Sequence, residues 1–134
     1  MQLSLDELKP IIPKCRSAET SADPEGWTPE NPSHMQCFNT AILLFKILWF
    51  PVYKERLVFH TGAHRWHCYN KDHNNQDIRL CDEQLRHKTI KHKKSESMLT
   101  EEQIQFIFDV NPSAKQRYEI LKKNLEKETG IAFR

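Results

Sequence analysis

A chain of 134 residues has the size of one domain, so separate catalytic and binding domains do not fit within it. Hydrophobic residues at 38%, charged residues at 28% and only three glycines exclude a collagen-like or low-complexity chain. A formal charge of +2 gives no general affinity for nucleic acid, so no nucleic-acid partner is expected.

In chain order, Met1–Asp6 is polar and acidic where a secretory leader needs a basic then apolar stretch, which predicts a cytoplasmic protein. Ser4-Leu5-Asp6-Glu7 reads as a capping box opening a helix over about residues 5–18, disturbed by Pro10 and Pro13. Ser21–Ser33 holds four of its turn-forming residues at Pro24, Gly26, Pro29 and Pro32 and reads as a loop anchored by Trp27. Gln36–Phe50 is the most apolar stretch and reads as a buried helix stopped before Pro51, with Cys37 in its first turn. Its apolar run, broken by Lys46, is shorter than the roughly 20 residues that a bilayer demands, so no membrane span is expected. Three β-prone runs follow at Val52–His60, His64–Asn70 and Gln76–Cys81, an antiparallel meander. Arg86–Ser97 is polar and basic and reads as an exposed loop or ragged helix. Thr100-Glu101-Glu102-Gln103 caps a short helix through Phe108, and Asn111-Pro112 opens a last helix up to Gly130. The expected architecture is a single α+β domain over residues 1–134, with N-terminal helices packed on a small antiparallel meander and a C-terminal helix.

Cys37 is the first chemical candidate. A thiol at a helix N-terminus is drawn toward thiolate by the unpaired N–H groups there, although a buried structural cysteine has the same signature. Alternation in the second strand puts Arg65, His67 and Tyr69 on one face and Trp66, Cys68 and Asn70 on the other, and His67 is the candidate base for Cys37. In the third strand Asp77, Arg79 and Cys81 share a face, so Asp77 is the carboxylate expected to orient the imidazole. Cys, His and Asp in that order is the arrangement of papain-like and transglutaminase-like thiol enzymes, and equally a polar sheet face. The rival chemistry is zinc held by His64 and His67 with Cys37, Cys68 or Cys81, but residues three apart on a strand point to opposite faces. No metal or cofactor is therefore expected. The four cysteines, Cys15, Cys37, Cys68 and Cys81, lack CxxC spacing and read as reduced thiols.

Trp27, Asn31-Pro32 and Gln36-Cys37 running into Thr40-Ala41 resemble the opening motif of the YunG family of small, mostly bacterial proteins. His67-Cys68-Tyr69-Asn70, Glu83-Gln84-Leu85 and Gln116-Arg117-Tyr118 through Leu121 resemble its later motifs, over roughly residues 27–125. The resemblance implies Cys37 as nucleophile and His67 as its base. It also shows two departures: aligned on Gln84, the family's Asp falls on Arg79, with Asp77 about 6.6 Å further along the strand, and the glycine before Gln-Cys is Met35.

Two functions are expected from these residues. One is a papain-like thiol hydrolase or acyl transferase acting on a small-molecule or peptide-like substrate, with Cys37 as nucleophile, His67 as base and Asp77 or Asn70 as orienter. Gln36, with the Cys37 N–H, forms its oxyanion hole, and Asn70, Arg79 and Trp27 complete the substrate side. The other is a binding or interaction domain of the same fold that has lost the reaction, for which Arg79 at the acid position speaks.

Overall fold

The computed structural model describes residues 3–81 and 90–133, with backbone alone at 90–95. Helix α1 (Leu5–Leu8) opens on the expected capping box, in which Ser4 and Glu7 satisfy each other's backbone N–H groups. The single first helix does not form. Pro10 and Pro13 cannot donate into a helical ladder, and the segment divides into α1, α2 (Ile12–Cys15) and a 3-10 turn at Ala18–Thr20.

Helix α3 (Cys37–Leu48) is the centre of the molecule. It is buried on almost every side, packing on the sheet through one face and on the C-terminal helix through another. It ends two residues before the predicted limit, because Trp49 adopts the left-handed conformation and returns its N–H to Phe45 O.

The sheet has four antiparallel strands in the order β3-β2-β1-β4, so the fold is α+β as expected. Strands β1 (Val52–Phe59) and β2 (His64–Lys71) form a hairpin whose turn uses Gly62 at a φ of +87°, a conformation that costs glycine nothing. Strand β3 is only Asp77–Ile78, pairing with Lys71 and Asn70. The longer predicted strand is overturned at Arg79–Cys81, where the chain leaves the ladder and is held by side-chain bonds to Arg79 and Arg16.

The basic segment corrects the meander. Ile90–Leu99 is not a loop or helix but strand β4, paired along β1 at the sheet edge. Lysine-rich composition hides its strand character and is also what protects an edge strand from pairing with another chain. Residues 86–89, with Glu83-Gln84-Leu85, lie outside the described residues.

Helices α4 (Glu101–Val110) and α5 (Pro112–Thr129) open on Thr100 and Asn111 caps, as the sequence predicts, and α5 closes on Gly130 at a φ of 70°. Their apolar faces, Ile104 and Phe108 on α4 and Tyr118, Leu121 and Leu125 on α5, join Leu8, Ile12 and the α3 side chains in one core. Among the described residues no helix is long and apolar enough to cross a membrane.

Two buried polar side chains tie the layers together. Asn70 donates to Ala41 O at 2.9 Å and Phe50 O at 3.1 Å, pinning β2 to α3. Arg16 donates to Thr40 Oγ1, Leu80 O and Cys81 Sγ at 3.1–3.3 Å, joining α3 to the chain after β3.

Candidate active site

Cys37 is the first residue of α3, and Gln36, the cap, gives no side-chain hydrogen bond to the first turn. The positive end of the helix therefore falls on the thiol. The α3 N-terminus meets β2 where that strand has lost its outer neighbour, since β3 covers only Asn70 and Lys71. There the Cys68 backbone N–H donates to Cys37 Sγ, and the side chains of both His67 and Cys68 are hydrogen-bond partners of the same sulfur. A sulfur lying at a strand edge is reached from both faces, which is why residues 67 and 68, opposite in alternation, converge on it.

The protonation of the pair follows from this contact. The Cys68 hydrogen bond, then His67, hold the Cys37 thiol well below its ordinary 9.0 and outweigh the burial that opposes them. Cys68 is pushed well above 9.0, first by its bond to Cys37 and then by burial. The two thiols titrate as a pair in which the charged form is favoured at Cys37 over Cys68. Cys15 differs: it packs in the core, its Sγ donates to Ile11 O, and burial raises it to about 11. All four cysteines are free.

The expected third residue is not at His67. Asp77 pairs in register with Lys71, four residues or about 13 Å along β2, and its carboxylate meets Lys71 and Arg79. Asn70 lies on the other face and spends its amide on α3. Arg79 forks onto Glu55 at 2.6 and 3.2 Å, bonds Asp77 at 3.0 Å and lies 3.9 Å over the Tyr69 ring. The sequence reading missed Glu55. It is buried in β1 and pairs in register directly with His67, so the two side chains share a face. The alternation of Tyr53, Glu55 and Leu57 was the available signal.

Gln36 is fully buried and its amide donates to Ser17 O at 3.1 Å, which holds it away from an oxyanion role. Trp27 stays in the 21–33 loop, where its indole N–H donates to Pro32 O at 3.0 Å, so it is a loop clamp rather than a wall of the site. Met35 takes a φ of 54°, the left-handed region that glycine adopts at no cost. The two thiols line a cavity of about 520 Å³ together with Phe38, Lys54, Trp66 and Ile107. Among the described residues no group of three or more His, Cys, Asp or Glu side chains is placed to hold a metal ion.

Fold and site together define an α+β protein with a free cysteine at a helix N-terminus, a histidine on the adjoining strand and an open cavity beside them. The chain belongs to the YunG family, whose profile, described as YunG protein, matches residues 4–130. No curated protein and no solved structure matches the sequence.

Proposed function

We propose that this YunG protein is a papain-like thiol hydrolase or acyl transferase, with Cys37 as nucleophile and His67 as general base. The observation that carries the reading is the convergence of the α3 N-terminus, the His67 ring and the Cys68 thiol on one sulfur at the floor of a cavity. His67 takes the Cys37 proton, the thiolate attacks the acyl carbon, the Cys37 backbone N–H donates to the oxyanion, and the imidazolium passes that proton to the leaving group before the neutral ring activates water or an acceptor. Glu55 takes the orienting place that Asp77 does not reach. Its register opposite His67 and its burial support that, and Arg79 holds its carboxylate in place. Four free cysteines support the cytoplasm as its compartment.

The test is the rate of Cys37 alkylation and of activated-ester turnover across acid to neutral pH. Alkylation should set in well below the pH at which a free-cysteine peptide reacts, and turnover should vanish in Cys37→Ser and His67→Ala. Glu55→Gln should displace the pH profile and cut turnover at least tenfold while the chain still folds. Labelling of Cys37 no faster than the free peptide, or only after unfolding, would return the chain to the binding-domain reading.

A further inference from the structure

We infer that the acyl group which this site accepts is an apolar chain ending in an anion. The inference rests on the thiol-enzyme reading above and adds the substrate class. Phe38, Leu99 and Ile107 give the cavity beside Cys37 an apolar wall, which favours a hydrocarbon segment over a polar one. Its other side is cationic. Lys54 pairs in register with Cys68, lies 4.8 Å over the Trp66 ring and shares the cavity wall with Arg65. Arg56 stands 5.8 Å from the same ring on the same strand face. No carboxylate is among the described residues that line the cavity, so nothing in its wall opposes an incoming anion. The Lys54 ammonium does not stay beside Cys68 but lies over the Trp66 ring two residues, about 6.6 Å, along β2, which sets the anion several carbon atoms away from the scissile carbonyl.

The probes are two alkylating agents of matched length, iodoacetamidohexanoate with a terminal carboxylate and N-hexyl iodoacetamide without one, with adduct formation at Cys37 followed by intact mass. At low salt the carboxylate probe should react about fivefold faster, the factor that one partly exposed ion pair contributes. The ratio should fall as salt is raised to about 1 M, where the Debye length shrinks to about 3 Å, the length of an ion-pair contact. Lys54→Met should remove the preference and Lys54→Arg should keep it. A ratio near one in the native protein, or a preference that survives both salt and Lys54→Met, overturns the substrate class and leaves the nucleophile standing. Failure of both probes to react faster with Cys37 than with a free-cysteine peptide overturns the thiol-enzyme reading beneath it.

The thiol–thiol contact carries a second inference, independent of ester chemistry: the geometry points to Cys37 and Cys68 as a reversible disulfide site for hydroperoxides. The two sulfurs are hydrogen-bond partners and open on the same cavity. The Cys37 thiolate attacks the peroxide oxygen, the O–O bond breaks, and the alkoxide or hydroxide released takes up a proton, leaving Cys37 as sulfenic acid. The Cys68 sulfur then attacks the Cys37 sulfur and displaces water, its own proton leaving with that water. Two thiols are oxidised and one peroxide is reduced to alcohol or water.

Hydrogen peroxide should therefore convert the chain to a species lighter by two hydrogens, with a Cys37–Cys68 crosslink in the peptide map that dithiothreitol reverses. Cys68→Ser should instead collect oxygen at Cys37 as sulfenic and then sulfinic acid. Oxygen addition at Cys37 without a crosslink in the native protein, or a crosslink from Cys37 to Cys15 or Cys81, overturns the proposal.

Discussion

Replacing Arg79 with Asp puts a carboxylate where the family pattern expects one, yet the structure predicts that it damages the fold. The Glu55 side chain is only 5% exposed, and both its oxygens are held by the Arg79 guanidinium at 2.6 and 3.2 Å. Removing one partner of such a pair leaves a buried carboxylate uncompensated, which costs about 3–5 kcal/mol. Arg79 is 20% exposed, so water enters part of the gap and the lower end, about 3 kcal/mol, applies. The new carboxylate faces Glu55 and Asp77 and adds about 1 kcal/mol of repulsion. The sum, about 4 kcal/mol, is a large share of a single domain's stability and amounts to a fall of roughly 15 °C in Tm. Urea titration followed by the fluorescence of Trp27, Trp49 and Trp66, with thermal melting beside it, measures both quantities. Arg79→Met should cost about 3 kcal/mol, and the pair Glu55→Gln with Arg79→Met should recover at least 1 kcal/mol of it, because no buried charge is then left. An Arg79→Asp protein within about 0.5 kcal/mol of the native one, or a double variant no more stable than Arg79→Met, would refute the Glu55–Arg79 pair as a buried, mutually compensating contact.

Cys68→Ala removes the largest contribution that favours the Cys37 thiolate, so the onset of Cys37 alkylation should move to higher pH and the rate in mild acid should fall about tenfold. The sign for stability follows: with the folded thiol lowered, Cys37 stabilises the fold fully above 9.0 and loses that contribution as pH falls, over a wider window in the native protein than in Cys68→Ala; coincident profiles would show that the two thiols do not share a proton. Asn70→Leu strands Ala41 O and Phe50 O in the interior and should cost about 2–3 kcal/mol in the same urea assay, whereas a loss under 1 kcal/mol would mean that the two carbonyls find other donors. Met35→Gly relieves the left-handed backbone at a φ of 54° and should raise stability by about 0.5–1 kcal/mol; a clear loss would show that the Met35 side chain contributes more in packing than its backbone costs in strain.

Local signals in the sequence determined what depends on neighbours within a turn or two. The Ser4, Thr100 and Asn111 caps, the apolar length of α3, the β1–β2 hairpin and the place of Cys37 at a helix start each follow from contacts a few residues apart. The order of Cys37 and His67 and the family motif lead to the expectation that His67 acts on Cys37; the structure puts the two side chains in contact, and their catalytic roles belong to the proposal above. Tertiary structure alone decided the rest. Strand β4 exists because the edge of β1 offers a ladder to a segment whose own composition argues for solvent. Asp77 fell away from His67 because a two-residue β3 pairs four positions down the strand, a register that no local pattern encodes. Cys68 joined the site because the same short strand leaves β2 with an open edge, and at an edge the alternation of faces no longer separates neighbours. Arg79, which the family resemblance places at the acid position, is the counter-charge of Glu55, a partner 24 residues away that only the folded sheet brings across from His67.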